Sequence, residues 1–333
     1  MRNFYGRVRP TDSTGDLIHR YNSLYDVSKN PDLRSEDMPT ILNYDAIPGI
    51  IPIYLKILFT RKKGFRPGDT FPDIKASVKN VTVDPKKLGA YREICELEDD
   101  GNLPLLYPHV LTAPLHMAIL SHGEFPIPLI GILHYRNHLI RHRPIRSDEP
   151  LDVEVALTGH RIVKQGLEFD YTVRVESGGE LVWNSITTYL KQGRFGKDFD
   201  PSPRSDLIEP IADAEKISDS QIPGYIGKRY AKICSDYNLI HISKLAARLF
   251  GFKRDIAHAM WAAALSLGKL GLSDGGRAVR VDLAFKGPLF IGSRSYILRS
   301  VKKGFTRFNY HIQGNERPCI TGKVSLVDRG TML

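Results

Sequence analysis

A carboxylate and an imidazole stand five residues apart in the stretch YAKICSDYNLIHISK, where Asp236 precedes His241. Two such groups on one turn can hold a single water molecule and move protons to and from it, which is the work of a general acid and base. The segment that follows Asp255, IAHAMWAAALSLGKL, contains no acidic residue. We therefore expect the chemistry to depend on this pair and on the start of the apolar helix after it.

The start of that predicted helix offers a second functional group. The first N–H groups of a helix have no partner within the helix and carry positive potential. An oxygen that gains negative charge can therefore accept from the backbone N–H of Ala259. We expect the neighbouring His258 to pack at the helix start, and Asn238 to shape the turn by bonding to local backbone.

The elements that must position these residues form a repeat. The segment PHVLTAPLHMAIL around His116 and the segment around His258 are apolar on nearly all sides, and each is followed by short alternating runs. A helix that is apolar all round must be buried, and a curved antiparallel sheet wrapped around it is the simplest way to bury it. We predict an α+β protein of two such units, each an apolar helix followed by a meander of antiparallel strands.

Composition divides the chain into four parts. We predict a polar N-terminal extension over residues 1–66, a first unit over 67–195, an acidic and proline-bearing linker over 196–222, and a second unit over 223–333. The extension ends in IPGIIPIYLKILF, which is too short to span a bilayer and contains two prolines and a lysine. We expect no membrane span there, and either a buried or partner-facing helix or an interfacial patch.

The overall composition is that of a globular protein, with 42% apolar and 25% charged residues in a chain of 333. Three cysteines without close spacing argue against disulfides and a cysteine metal site and suit a reducing cytoplasm. No signal peptide is expected at the N-terminus. The net charge of +10 is scattered and accompanies no nucleic-acid motif, so it suits a phosphorylated small molecule or an acidic carrier protein.

The segment from Tyr230 to Met260 resembles the signature of MaoC-like dehydratases, also called R-specific enoyl-CoA hydratases. The similarity lies in D-x-N-x-I-H and in A-H-x-M, and LAFKGPLFIG resembles the strand that follows in the family. The first unit resembles the family only as a degenerate copy, as in its double hot dog members. The resemblance implies a double hot dog fold and reversible hydration of a trans-2-enoyl thioester in fatty acid metabolism, with Asp236 and His241 as the catalytic dyad.

The expected thioester substrate suggests its own contacts. The thioester oxygen would be bound at Ala259, and Asn238 would border the substrate. Lys286 and Arg280 are the basic residues nearest the matched segment, so they either contact the phosphates of the substrate or lie on a solvated strand face. An acyl-CoA or acyl carrier protein thioester is the expected substrate, with no metal and no further cofactor. A homodimer is compatible with the sequence.

The chain departs from the family pattern at the site itself. It has Ser235 where the family usually has glycine, Leu239 where it has proline, and Ala259 where it has glycine, and the family's helix serine falls at Leu267, beside Ser266. The first two changes alter the turn that positions the dyad, and the methyl of Ala259 crowds the thioester. These changes suggest an unusual substrate or reduced activity.

The first unit has no Asp and His at the dyad spacing, so we expect it not to catalyse. Without a dyad its strands lose polar groups, and we predict an apolar tunnel for a long acyl chain. Two other functions stay open. A hot dog thioesterase would commonly place a carboxylate on or beside the central helix, which this chain lacks after Asp255, and a non-catalytic acyl-thioester binding protein would not need the dyad that the chain keeps.

Overall fold

The computed structural model describes residues 39–200, 207, 211–272 and 274–333. Most of the predicted N-terminal extension, and residues 201–206 and 208–210 of the predicted linker, lie outside the described residues. In chain order the elements are β1 (Thr40–Tyr44), α1 (Ile50–Phe59), β2 (Ile74–Val81), α2 (Pro85–Cys95), α3 (Tyr107–Ser121), β3 (Ile132–Arg141), β4 (Leu151–Val163), β5 (Gly166–Ser177), β6 (Glu180–Gln192), β7 (Glu215–Gln221), α4 (Ile226–Cys234), α5 (Leu239–Ile242), α6 (Lys244–Leu249), α7 (Ala259–Lys269), β8 (Ala278–Phe285), β9 (Arg294–Lys302), β10 (Phe305–Ile312) and β11 (Ile320–Val327).

All the strands that the structure describes form one sheet, in the order β1-β2-β4-β5-β6-β3-β8-β11-β10-β9-β7. Its two halves have the same plan, and they meet where β3 pairs antiparallel with β8, with Leu139 opposite Val281. We call this pairing the seam. The predicted simple meander is wrong for β3 and β8, because each pairs with the last strand of its half and not with the next one. Almost every residue of β8 is buried, as expected for a strand at the centre of a covered sheet.

The two apolar helices predicted from the sequence are α3, which is almost entirely buried, and α7, which is buried from Met260 to Ser266. The sheet curves around them: α3 packs on β2 and β4, and α7 packs on β10 and β11. One core cluster joins apolar residues of both halves. The arrangement is the predicted α+β double hot dog.

Two strands lie inside segments that were expected to be irregular. β1, within the predicted extension, pairs parallel with β2, and β7, within the predicted linker, pairs with β9 at the other edge of the sheet. β7 has the sequence EKISDSQ and is mostly exposed, which explains why no apolar alternation marked it as a strand.

The apolar stretch near residue 50 forms α1, a helix of ten residues that packs on α3. Ile53 is buried there, whereas Ile51 and Leu55 are exposed. Within the part of the chain that the structure describes, no helix is long and apolar enough to cross a membrane.

Candidate active site

The second half brings Asp236, His241 and His258 together in front of α7. Asp236 lies in the loop between α4 and α5, His241 lies in α5, and His258 is the residue that precedes the first turn of α7. The backbone of Ser235 adopts the left-handed conformation, with φ of 62°. A residue other than glycine costs about 1–2 kcal/mol in that conformation. The turn that delivers Asp236 is therefore kept although serine replaces the glycine usual in the family.

The short helix α5 is held in place by its cap and by its neighbour α4. The Asn238 side chain accepts from the N–H of Ile240 at 3.4 Å, and Leu239 occupies the first helical position, where the family's proline would fit. Gly227 of α4 lies directly against α5, because a Cβ atom there would stand 1.9 Å from the carbonyl oxygen of His241. Asn238 thus shapes the turn, and Gly227 fixes how closely the dyad loop approaches α4.

The three polar side chains are close without being in direct hydrogen-bond contact. Asp236 Oδ2 lies 3.8 Å from His241 Nε2 and 3.6 Å from His258 Nε2. The two imidazole rings stack with their centroids 3.7 Å apart. Separations just beyond a direct hydrogen bond suit a water molecule that bridges the carboxylate and the imidazole of His241.

Backbone carbonyls fix the protonated nitrogen of each imidazole. His241 Nδ1 lies 2.8 Å from the carbonyl oxygen of Ile256. Since a carbonyl oxygen only accepts, Nδ1 carries the proton and Nε2 presents a lone pair toward Asp236. By the same argument His258 Nε2 donates to the carbonyl oxygen of Asp236 at 3.1 Å. His241 can therefore act as a base at Nε2, while His258 holds the loop that carries Asp236.

Electrostatics keep Asp236 ionised and His258 neutral. Burial raises the pKa of Asp236, but the imidazoles of His258 and His241, the N–H of Asn238 and the hydroxyl of Tyr54 outweigh burial and hold that pKa below its usual value. The Asn238 N–H donates to Asp236 Oδ1 at 3.1 Å. Burial, followed by the neighbouring His241, lowers the pKa of His258 to about 3. The site thus offers the Asp236 carboxylate, beside His241 Nε2, to a water molecule.

Tyr54 of α1 is a site residue that the sequence analysis missed. Its hydroxyl accepts from the N–H of Tyr237 at 2.9 Å, and it helps to lower the pKa of the Asp236 carboxylate. Burial, and then the charge of Asp236, raises the pKa of Tyr54, so the neutral phenol can donate to the carboxylate. The sequence held one signal: Tyr54 is the only hydroxyl in the apolar stretch IPGIIPIYLKILF.

The N-terminus of α7 lies beside the dyad. Ala259 is its first residue, and no side chain caps this end of the helix. Its first N–H groups are therefore suited to bind an oxygen that gains negative charge. Further along, Ser266 donates to the carbonyl oxygen of Ala262 at 2.7 Å, while Leu267 packs against the core.

The structure does not bring the two predicted phosphate contacts into this group. Arg280 bonds to Asp282 at 3.1 Å. Both lie on the face of β8 opposite to Val281 and Leu283, which join the core around the helices. Lys286 donates to the carbonyl oxygen of Leu207 at 2.9 Å. A role of either residue in phosphate binding stays a prediction.

Asp236, His241 and His258 are also the group among the described residues whose potential metal-ligand atoms all lie within 4.8 Å of one another. A metal ion there would compete for His258 Nε2, which already donates to the Asp236 carbonyl. The arrangement suits a bridged water better than a metal ion.

The strands of the first half carry buried histidine and tyrosine side chains, whereas an apolar interior was predicted. Five buried or half-buried side chains of α3, β3, β5 and β6 pack against one another with ring centroids 4.8–6.0 Å apart, and we call them the His/Tyr cluster. They are His109, His116, His134, Tyr171 and Tyr189. The expected apolar interior is wrong in this region, because alternate residues of the strands carry these polar rings toward α3.

Comparison with known proteins finds related chains for both halves. A profile of the MaoC like domain matches residues 227–312. The 3-hydroxyacyl-thioester dehydratase X of Mycobacterium tuberculosis is 29% identical over 261 residues, which are 74% of this chain and 91% of that protein. The crystal structure of HtdX from the same organism has a TM-score of 0.65 and 27% identity, and covers 76% of this chain and 100% of that chain. The MaoC-like dehydratase of Phytophthora capsici shares the fold, with a TM-score of 0.63, 17% identity and coverage of 78% and 96%.

Proposed function

We propose that the chain, which is similar to MaoC-like dehydratases, is a member of that family and catalyses the reversible hydration of a trans-2-enoyl thioester to the 3R-hydroxyacyl thioester. The observation that carries the proposal is the pair of acceptors, Asp236 Oδ2 and His241 Nε2, 3.8 Å apart. Asp236 Oδ2 lies 3.6 Å from Nε2 of His258, the residue that precedes the uncapped start of α7. Such a pair can hold one water molecule next to a bound thioester.

In the proposed mechanism the water molecule donates one hydrogen bond to the Asp236 carboxylate and one to His241 Nε2. This orients a lone pair of the water oxygen toward C3 of the substrate. As the C3–O bond forms, one proton passes to the dyad, and the dyad returns a proton to C2, so that one water is added across the double bond. The charge that develops on the thioester oxygen is stabilised by the N–H of Ala259 at the helix start.

The reverse reaction removes water from the 3-hydroxyacyl thioester through the same groups. The reaction needs neither a metal nor a redox cofactor, since proton transfer and charge stabilisation suffice. Whether the acyl group is carried by CoA or by a carrier protein belongs to the proposal, and the net charge of +10 favours either of these anionic carriers. A homodimer and a cytoplasmic location likewise stay predictions.

The test is hydration of trans-2-enoyl-CoA by purified protein carrying Asp236→Asn, His241→Ala or both changes. We expect each single change to lower kcat by roughly 10²–10⁴-fold, the range typical of general acid–base groups. The double change should add little, because the two side chains act on one water. Near wild-type turnover in either single variant, with an unchanged melting temperature, would contradict the mechanism.

The same assay separates the two other functions. A thioesterase would release free thiol from the thioester, which a thiol reagent measures directly. A binding protein would bind the enoyl thioester without converting it. The absence of an acid in α7 argues against the thioesterase, and the paired acceptors argue for turnover.

A further inference from the structure

We propose that the His/Tyr cluster binds a neutral oxygen, a hydroxyl or a keto group, on the acyl chain of the substrate. The inference deepens the proposed function and rests on it. It names the part of the molecule that selects the substrate, in the half that carries no dyad, and it replaces the apolar tunnel that the sequence suggested.

The first observation is that the cluster holds polar atoms without protein partners. His116 is 1% exposed and Tyr171 is fully buried. His116 Nδ1 lies 3.1 Å from the Tyr189 hydroxyl. Among the described residues no protein group bonds to His116 Nε2, to the Tyr171 hydroxyl, to His109 Nδ1 or to His134 Nε2. A buried polar atom left unbonded costs about 1–3 kcal/mol, so four in one cluster indicate a partner outside the chain.

The second observation is the position of the cluster between the dyad and an apolar region. α3, which carries His109 in its first turn, contacts α4, the helix that leads to Asp236, so this end of the cluster lies toward the dyad. His134 contacts Phe285 of β8 across the seam, with centroids 4.7 Å apart. At the other end Tyr171 and Tyr189 pack on Phe169, which leads to Phe125 and Phe71.

This order along the interior corresponds to an order along a substrate. With the thioester and its double bond at the dyad, the next part of the acyl chain reaches the cluster, and its end reaches the phenylalanines. The oxygen is therefore expected a few carbons beyond the reacting double bond, followed by an apolar tail.

The cluster is uncharged, which decides the class of the oxygen. Burial lowers the pKa of His109 to about 4 and the pKa of His116 and of His134 further. Burial also raises the pKa of Tyr171 and Tyr189. A carboxylate would lose its hydration without gaining a counter-charge, and it would be repelled by Asp236. A hydroxyl or keto group needs only the donors and acceptors that neutral imidazoles and phenols provide.

The experiment compares trans-2-enoyl-CoA thioesters of one chain length that are unsubstituted or carry a hydroxyl or keto group at successive carbons from C5 onward. For at least one oxygenated thioester, wild-type protein should show kcat/KM about tenfold or more above the unsubstituted parent. Tyr171→Phe removes a hydroxyl that has no protein partner, and it should lower this preference by roughly tenfold.

Tyr310→Phe is the matched control. Tyr310 is a buried tyrosine of the second half whose hydroxyl bonds to Ser295 at 2.8 Å, and its loss should leave the preference as in the wild type. A wild-type protein that prefers no oxygenated thioester, or a Tyr171→Phe variant with the same preference, would overturn the proposal and leave the cluster to buried water. Failure to hydrate any thioester, the unsubstituted ones included, would instead refute the proposed function.

Discussion

The ionised state of Asp236 depends on donors from two distant parts of the chain. The Asn238 N–H lies two residues after Asp236 in the sequence, whereas the Tyr54 hydroxyl comes from α1, near the N-terminal end of the described chain. A hydrogen bond to a carboxylate favours its charged form and lowers its pKa. Tyr54 therefore sets the proton affinity of a group that, in the proposed mechanism, must accept a hydrogen bond from water.

Replacing Tyr54 by phenylalanine should raise the pKa of Asp236, since a donor to the charged form is lost. Because hydration requires the ionised carboxylate, the acid limb of the kcat/KM profile should move to higher pH, whereas kcat at neutral pH, where the carboxylate is ionised in both proteins, should change much less. The pH–rate profile of Tyr54→Phe checks this. Tyr44→Phe, a change in the neighbouring β1, is the control, and coincident acid limbs in all three proteins would disprove the role of Tyr54.

Residue types and spacing were sufficient to select Asp236, His241 and Ala259 as candidates, because all three lie within one continuous segment. Tyr54 and the His/Tyr cluster were not predictable, since the side chains that meet there come from elements separated by long stretches of chain. Their proximity depends on the order of the strands, which no local pattern encodes.

At the scale of elements, the site depends on how closely α5 approaches α4. Gly227→Ala keeps both dyad residues but adds a methyl that would stand 1.9 Å from the His241 carbonyl oxygen, so α5 must shift. A displacement of about 1 Å can cost on the order of a hundredfold in rate. We expect kcat to fall by one to two orders of magnitude, and the free energy of unfolding to fall by about 1–3 kcal/mol.

Gly89→Ala is the control for that experiment. Gly89 lies in α2 with no atom within 4 Å of an added Cβ, so alanine there should stabilise the protein by up to about 1 kcal/mol and leave kcat unchanged. If Gly227→Ala behaves like Gly89→Ala, contact between α4 and α5 does not position the dyad.

The two apolar helices could be predicted because a helix that is apolar on all sides must be buried in the core. The positions of β3 and β8 could not, since the periodicity of a strand does not reveal its neighbours. β7 escaped prediction for a different reason: an exposed edge strand shows no apolar alternation.

At the scale of the whole molecule, buried neutral histidines should make stability depend on pH. Burial lowers the pKa of His109 to about 4 and of His258 to about 3, and lowers the pKa of His116 and His134 strongly. Below about pH 6.5 the unfolded chain binds protons at these residues while the folded protein does not. The free energy of unfolding should therefore decrease as the pH falls from about 6.5 toward 4.

Urea unfolding at pH 7, 6 and 5 measures this decrease. Each such histidine contributes up to about 1.4 kcal/mol per pH unit within that window. In His116→Phe, one titrating group is lost, so the difference between pH 7 and pH 5 should be smaller than in the wild type. An unfolding free energy that stays constant or increases between pH 7 and pH 5 would show that these rings are protonated in the folded protein.

The seam between β3 and β8 joins two halves that both reach the site, since the Tyr54 hydroxyl accepts from the N–H of Tyr237 beside Asp236 and α3 contacts α4. Were the halves separate chains, their association would be lost at low concentration. Within one chain the partner half is always present at a high effective concentration, whatever the amount of protein. The fraction of assembled sites is therefore independent of protein concentration. Dilution cannot separate the half that carries the dyad from the half that, as we propose, selects the substrate.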